Sequence, residues 1–325
     1  MTLHSMTTAP ASRRDFIAAR PQTAVDLGVS IGSLRLRNPV MPASGCFGPE
    51  LGRLIPSSEI GAAVTKTVFH DSRGGNPVHR LTEIEAGMVN SVGIPSRGPQ
   101  GYLEELHPQY AALDTPTIIS VGGHRVHEYA PLVEALGDAG DAFELNVSCP
   151  NLDREGTDIG ADPEAVRQVV SAVRQVTARP LIVKLPAMVA SIAESALAAQ
   201  AGGADAVAVS NSVPSLPLLR RGGRRVPALG NVVGGLSGPA IRPIVTRLVW
   251  QSARAVEIPV IACGGIETAD DALDYISVGA TAVQIGTANF GTPFAMVAIA
   301  RELQERCARA GASDLHMLLE LEEGP

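Results

Sequence analysis

The sequence predicts a closed (β/α)8 barrel, and three observations support this fold class. Short apolar runs recur eight times along the 325 residues, with stretches of helical periodicity between them. Hydrophobic residues make up 45% of the chain but aromatic residues only 3%, which suits aliphatic helices packed on parallel strands. Glycines follow the last two apolar runs, where barrels of this type bind phosphate. A doubly wound open sheet is the alternative.

Each apolar run is predicted to be a buried strand. In chain order the eight strands are Val40–Ala43, Ala62–Lys66, Thr117–Val121, Phe143–Val147, Leu181–Leu185, Ala206–Ser210, Val260–Cys263 and Ala282–Gly286. Two helices between them have clear start signals. Asp162 is an N-cap residue followed by Pro163 at the first helical position, and Thr268 is a hydroxyl cap followed by two aspartates.

Two connections, residues 67–116 and 211–238, are longer than a barrel requires. Both follow the carboxyl end of a strand, so both are predicted to overhang the same mouth of the barrel. The second contains four arginines around Gly222-Gly223 and predicts a hairpin tip. That hairpin is either plainly solvated or faces an anionic substrate or a partner.

Composition excludes several classes of function. The net charge of −7 argues against binding to nucleic acid or to an anionic membrane. No window approaches the roughly 18 apolar residues of a membrane helix. The four cysteines form no CxxC pair, so neither a zinc site nor a disulfide framework is indicated, and a reducing, cytoplasmic location is expected. His124, His127 and Glu128 lack the spacing of a metal motif and are predicted to lie on a helix surface.

Residues 1–24 are predicted to be a flexible tail, and residues 25–325 a single barrel domain. The tail contains the pair Arg13-Arg14, as in twin-arginine export signals. The apolar segment that such a signal needs does not follow, because Arg20, Pro21 and Asp26 interrupt it.

Candidate functional residues collect at the predicted strand ends. The glycines of Cys263-Gly264-Gly265 and Gly286-Thr287 predict a phosphate site, and Gly238 adds a further amide. Lys66 and Lys184 are the only lysines of the chain, and each lies near the end of a strand. A cation there stabilises negative charge on a reduced ring system or on a carboxylate.

Carboxamides accompany the lysines at the same rim and predict a site that binds a small planar polar molecule. They are Asn90, Asn146, Asn151 and Asn211, the last followed by Ser212. Cys149 lies between two of them in the segment Asn146–Asn151, just after a predicted strand. A free cysteine is more often an inert buried residue than a reactive one, so this segment alone leaves both interpretations open.

Together these segments resemble the class 1 dihydroorotate dehydrogenases. The resemblance rests on Asn90–Ile94, Asn146–Asn151, Val183–Leu185, Gly234–Ile241, Cys263–Gly265 and Ile285–Asn289, in order, and extends from about residue 26 to 310. The segment GGLSGPAI at Gly234–Ile241 is most similar to class 1B, the catalytic subunit that pairs with an iron–sulfur flavoprotein.

The resemblance implies one FMN per chain and oxidation of dihydroorotate to orotate in pyrimidine (UMP) biosynthesis. FMN contacts are implied for Ser44, Lys66, Thr67, Asn146, Lys184, Ser210, Gly238, Gly264, Gly265, Gly286 and Thr287. Substrate contacts are implied for Lys66, Asn90, Ser91, Val92, Gly93, Ile94, Asn146, Asn151, Asn211 and Ser212. Cys149 would be the base that takes the C5 proton while C6 delivers hydride to the flavin.

It also implies a homodimer, or a heterotetramer with a subunit that carries FAD and a [2Fe–2S] cluster. The electron acceptor, NAD through that subunit or fumarate, stays open. So do two alternative functions, an FMN oxidoreductase for another dihydropyrimidine and a non-redox barrel that binds a phosphorylated metabolite.

Overall fold

Eight parallel strands form one sheet in the computed structural model, which describes residues 25–148 and 159–323. The barrel strands are β1 (Val40–Pro42), β2 (Ala63–Val64), β3 (Thr117–Gly122), β4 (Ala142–Asn146), β5 (Leu181–Leu185), β6 (Ala206–Val209), β7 (Val260–Cys263) and β8 (Ala282–Ile285). Their order is β1-β8-β7-β6-β5-β4-β3-β2, so the sheet curls until its two ends meet. At the seam, Gly61 N–H donates to Val40 O at 2.7 Å. The predicted (β/α)8 barrel is confirmed, with all eight strands within two residues of their expected bounds.

Alternation along the strands separates the barrel interior from the layer beneath the helices. Ile118, Ile182 and Ile261 point inward with the alanines of neighbouring strands and form the apolar floor of the barrel. A hairpin of Val29–Ile31 and Leu34–Leu36 packs against this floor and closes the amino-terminal end. The opposite, carboxyl-terminal end is therefore the open one.

Helices cover the outside of the sheet. The longer ones are Tyr129–Leu136, Pro163–Arg174, Ile192–Ala201, Arg242–Ala253, Ala269–Ser277, Ala295–Ala310 and Leu315–Glu323, with shorter α-helical turns at Gly98–Gly101, His107–Tyr110 and Ala288–Gly291 and a π-helical turn at Tyr102–Leu106. Both predicted starts are confirmed. Asp162 Oδ1 accepts from Glu164 N–H at 3.0 Å, and Thr268 forms a capping box with Asp271.

The connection from β1 to β2 departs from the expected alternation of strand and helix. It contains only the 3-10 turns Pro49–Arg53 and Ser57–Glu59. Gly48, Gly52 and Pro56 lie in and beside these turns, and such residues disfavour a continuous α-helix in so short a segment.

The two long connections overhang the mouth, as predicted, and they also join into one antiparallel sheet. Its strands are Leu81–Ile84, Gly87–Asn90, Val213–Ser215 and Gly234–Ser237. Leu236 pairs with Val89 at the junction of the two connections. A Cβ on Gly234 would lie 2.6 Å from Asn90 O, so this close approach requires glycine. This four-stranded unit is called the overhanging sheet below.

The predicted hairpin in the second connection is confirmed. Leu218–Arg221 pairs with Arg224–Pro227, and Gly222 and Gly223 have φ of +56° and +79°, as a type I′ turn requires. Its four arginines are exposed.

Candidate active site

A cavity opens at the carboxyl ends of the barrel strands, beneath the overhanging sheet. It is lined by the predicted residues Ser44, Lys66, Thr67, Asn90, Val92, Gly93, Ile94, Asn146, Lys184, Ser210, Asn211, Ser212, Gly238, Gly264, Gly265, Gly286 and Thr287. Cys149 and Asn151, like the tail of residues 1–24, lie outside the described residues. The fold thus brings most of the residues predicted from the sequence to the wall of one cavity.

The glycine-rich ends of β7 and β8 and the loop at Gly238 converge on one side of the cavity. Gly265 has φ +70°, and a Cβ there would lie 2.9 Å from Gly238 O. A Cβ on Gly238 would in turn lie 3.5 Å from Thr287 Cγ2. Because these residues are glycines, no side chain stands between an anion in the cavity and their main-chain N–H groups, so this side is suited to a phosphate.

Hydroxyl and amide groups connect the ends of β1 to β4. Thr67 is the centre: its Oγ1 lies 3.2 Å from Ser44 Oγ and 2.9 Å from Ser120 Oγ, and it accepts from Asn146 Nδ2 at 3.3 Å. Ser44 Oγ also donates to Thr65 O at 2.9 Å. These bonds fix the polar groups that face the cavity from this side.

A second network ties the loop after β6 to the loop after β4. Asn211 Nδ2 donates to Ser148 Oγ and to Ser148 O, each at 3.1 Å. Ser148 Oγ donates to Asn146 Oδ1 at 3.0 Å, and Asn211 Oδ1 accepts from Ser212 N–H at 2.8 Å. Ser148 is buried and directly precedes Cys149 in the chain, so its bonds to Asn146 and Asn211 hold this point of the chain beside the cavity.

Both lysines reach the cavity. Lys66 follows β2, and a Cβ on Gly45 would lie 3.0 Å from its Nζ, so glycine at 45 allows the loop after β1 to pass over the ammonium. Lys184, on β5, is 4% exposed and donates to Gln284 Oε1 at 2.6 Å. Burial alone would lower the pKa of Lys184, but the neighbouring Cys263 and Glu144 together raise it above its ordinary value. Lys184 therefore supplies a positive charge at neutral pH.

Several residues of the site were missed by the sequence reasoning. Gln284 and Glu144 lie below the cavity in contact with each other, and Cys263 Sγ lies 3.3 Å from Lys184 Nζ. The alternation of side chains along β4 and β8 would have identified Glu144 and Gln284 as inward-pointing. Glu144 lies two residues before Asn146, and Gln284 lies two residues before Gly286. Phe290 and Met88 also line the cavity, and no polar motif marks them.

Cys46, on the cavity wall after β1, was also missed. Burial raises the pKa of the Cys46 thiol to about 11, with a smaller contribution from the neighbouring Cys263. Cys46 is therefore a neutral thiol at neutral pH and a poor base.

Ser91 is the one described residue of the predicted substrate set that does not line the cavity. Its side chain is fully buried, and its hydroxyl accepts from Asn76 Nδ2 at 2.9 Å and from Asn231 Nδ2 at 3.1 Å. The hydroxyl thus joins the two long connections rather than facing the cavity.

Ser91→Ala is expected to lower the free energy of unfolding by about 1–3 kcal/mol, because the two hydrogen bonds of a buried hydroxyl, each worth about 0.5–1.5 kcal/mol, are lost. Chemical denaturation monitored by circular dichroism measures this change. Ser30→Ala, at an exposed serine, is the control and is expected to stay within about 0.5 kcal/mol. Equal stability of the two variants would contradict the assigned role.

Over residues 25–148 and 159–323, no group of three His, Cys, Asp or Glu side chains is arranged to hold a metal ion. His124 instead donates its backbone N–H to Glu128 Oε2 at 2.7 Å. No helix in this part of the chain has the length and apolar character needed to cross a membrane.

Comparison with known proteins gives matches over most of the chain. The family model of dihydroorotate dehydrogenase matches residues 26–307. A protein of Trichlorobacter lovleyi, named dihydroorotate dehydrogenase B (NAD(+)), catalytic subunit, is 43% identical over 302 residues, covering 92% of this chain and 99% of its own. Proteins with the same name from Alkaliphilus oremlandii and Geobacter sulfurreducens are 40% and 43% identical over 300 and 298 residues. These alignments cover 91% and 90% of this chain, and 99% and 97% of the relatives.

Proposed function

Since the chain belongs to the dihydroorotate dehydrogenase family, we propose that it is an FMN-dependent catalytic subunit of the B type. It oxidises dihydroorotate to orotate in pyrimidine biosynthesis. The observation that carries this proposal is the convergence, in one cavity, of the glycine ends of β7 and β8 with the only two lysines of the chain. A phosphate-binding side and a cationic side in one cavity suit a phosphorylated ring cofactor.

The donors of the cavity fit FMN. Main-chain N–H groups at Gly264, Gly265, Gly286 and Thr287 would hold its phosphate, and Gly238 closes that side. Lys184 would place its ammonium near the ring, where negative charge develops on reduction. The other proposed cofactor contacts are Ser44, Lys66, Thr67, Asn146 and Ser210.

The substrate would lie between the carboxamides and the loop at Val92–Ile94. Asn146 and Asn211 are held by Ser148, so their amides are oriented before a ligand arrives. Lys66 supplies the charge that a carboxylate requires, and Asn90, Asn151 and Ser212 complete the proposed contacts. Ser91 acts by holding this loop through Asn76 and Asn231.

Cys149 is proposed as the base that removes the C5 proton of dihydroorotate. Bound FMN supplies the acceptor for the hydride that leaves C6. The protein's part is to orient C5 toward the thiolate, to exclude water and to hold the proton on sulfur. Because the ordinary pKa of a cysteine thiol is about 8.5, the rate is expected to rise with pH as the thiolate forms.

The named relatives are NAD(+)-type catalytic subunits, and a catalytic subunit implies a second, different subunit. We therefore propose a partner that carries FAD and a [2Fe–2S] cluster and passes electrons to NAD. A homodimer of this chain is the proposed core of that heterotetramer.

Anaerobic titration of the purified chain with dihydroorotate tests the function. The protein is expected to be yellow and to lose its flavin absorbance as one equivalent of dihydroorotate is added per FMN. Dihydrouracil, which lacks the carboxylate, is the matched control and is expected to leave the flavin oxidised. A protein that binds no FMN would favour a non-redox phosphate-binding barrel, and bleaching by dihydrouracil alone would favour another dihydropyrimidine as substrate.

A further inference from the structure

Three polar side chains form a continuous chain across the barrel interior below the cavity. Gln284 Nε2 donates to Glu144 Oε2 at 2.5 Å, and Gln284 Oε1 accepts from Lys184 Nζ at 2.6 Å. Glu144 is on β4 and Gln284 on β8, which lie on opposite sides of the barrel, so the first bond spans the interior. Of the three residues only Lys184 lines the cavity.

All three side chains are withdrawn from water. Glu144 is 0% exposed, Gln284 1% and Lys184 4%. Glu144 Oε1 has no hydrogen-bond partner among the described residues, and Glu144 Oε2 accepts its hydrogen bond from Gln284. A buried carboxyl group is costly unless an opposite charge is near, and Lys184 is that charge.

The amide between the two charges has a fixed orientation. Lys184 can only donate, so it requires the oxygen of Gln284, and the NH2 group of Gln284 then faces Glu144. Turning the Gln284 amide by 180° would therefore lose both hydrogen bonds. The direction of the Lys184 ammonium is thereby coupled to a carboxyl group that never reaches the cavity.

A contribution to stability alone does not account for these three hydrogen-bonded side chains. The inward layer directly below them is filled by Ile118, Ile182 and Ile261, as is usual for such barrels. Replacing buried ion pairs by hydrocarbon of similar volume is often neutral or stabilising. Burying these polar side chains costs desolvation free energy, and their hydrogen bonds end at Lys184 in the cavity. This arrangement instead points to a role in the chemistry of the cavity.

We propose that Glu144 is a positioning residue that acts through Gln284. It keeps Lys184 charged and holds its ammonium at the point where negative charge develops on the bound cofactor. This inference rests on the proposed function, because the cofactor is taken to be FMN. A charge held in place before reaction stabilises the reduced state without reorganisation.

The test is the midpoint potential of the bound FMN in Glu144→Gln, measured by anaerobic titration against reference dyes without substrate. The variant keeps the size of the side chain and removes its charge. Lys184 is then held less firmly, and reduced FMN is expected to bind at least about tenfold more weakly relative to oxidised FMN. For a two-electron couple this moves the potential about 30 mV more negative.

The sign of the shift separates this role from a simple charge effect. If Glu144 acted on the flavin only through its own negative charge, its removal would move the potential to more positive values. In a Lys184→Met background, Glu144→Gln is expected to cause no further shift, because the residue through which it acts is gone.

An exchange variant, Glu144→Gln with Gln284→Glu, provides the rescue. It returns a carboxylate to the side of Lys184 and preserves the amide–carboxylate bond across the barrel, so the potential is expected to return toward wild type. If Glu144→Gln alone does not fold, the midpoint potential of the exchange variant tests the inference in its place. An unchanged or more positive potential in Glu144→Gln, or an exchange variant with the potential of Lys184→Met, would overturn the inference. Failure of the wild-type protein to bind FMN would instead contradict the proposed function.

Discussion

Cys149→Ala is expected to bind FMN and to lose reduction of that FMN by dihydroorotate. In the proposed mechanism the sulfur of Cys149 takes the C5 proton, and the substitution removes it. A positioned general base contributes about 10²- to 10⁴-fold to rate, so the loss is expected in that range or beyond. Cys46, also on the cavity wall, does not substitute, because its pKa is raised to about 11 and it stays a neutral thiol. Stopped-flow absorbance of the flavin under anaerobic conditions measures the rate.

Cys149→Ser and Cys307→Ala serve as comparisons for this result. Cys307 is buried in the helix Ala295–Ala310 and does not line the cavity, so Cys307→Ala is expected to reduce its flavin at the wild-type rate. Cys149→Ser keeps a proton acceptor of much higher pKa, so its reduction is expected to be slow and to increase up to higher pH than in wild type. Wild-type rates in Cys149→Ala would remove the thiol from the mechanism.

Much of the barrel was predictable because its signals are local. Strands buried on both faces are short apolar runs, and each such run is visible without knowing its neighbours. The caps at Asp162 and Thr268 depend on bonds to residues two or three positions away. The site was predictable for a related reason: parallel strands place all their carboxyl ends at one mouth, so Lys66, Lys184 and Gly265 could be assigned to one cavity before their distances were known.

Features that depend on contacts across the barrel were not predictable. The bond between Glu144 and Gln284 joins residues 140 positions apart on opposite strands, and no local pattern encodes that distance. The union of the two long connections into the overhanging sheet depends on pairs such as Val89 and Leu236. Ser91 was assigned to the substrate through the family resemblance of the segment Asn90–Ile94, but its own side chain points to Asn76 and Asn231.

Gly265→Ala is expected to weaken FMN binding at least about tenfold, which corresponds to about 1.4 kcal/mol. Gly265 has φ +70°, which an alanine adopts only at a cost of about 1–2 kcal/mol. The added Cβ would also lie 2.9 Å from Gly238 O and 2.8 Å from Arg242 Cβ, so the backbone on the phosphate side must move. Fluorescence titration of the apoprotein with FMN measures the affinity.

Gly291→Ala is the matched control, because nothing lies within 4 Å of the Cβ it would add, and Gly291 ends the short helix that follows β8. It is expected to bind FMN as wild type does. Inorganic phosphate is expected to compete with FMN in the wild-type protein and to compete less well in Gly265→Ala, since the substitution acts where the anion binds rather than where the ring lies. If Gly265→Ala kept full affinity, the anion would not be held by the glycine ends of β7 and β8, and the assignment of the phosphate side of the cavity would be wrong.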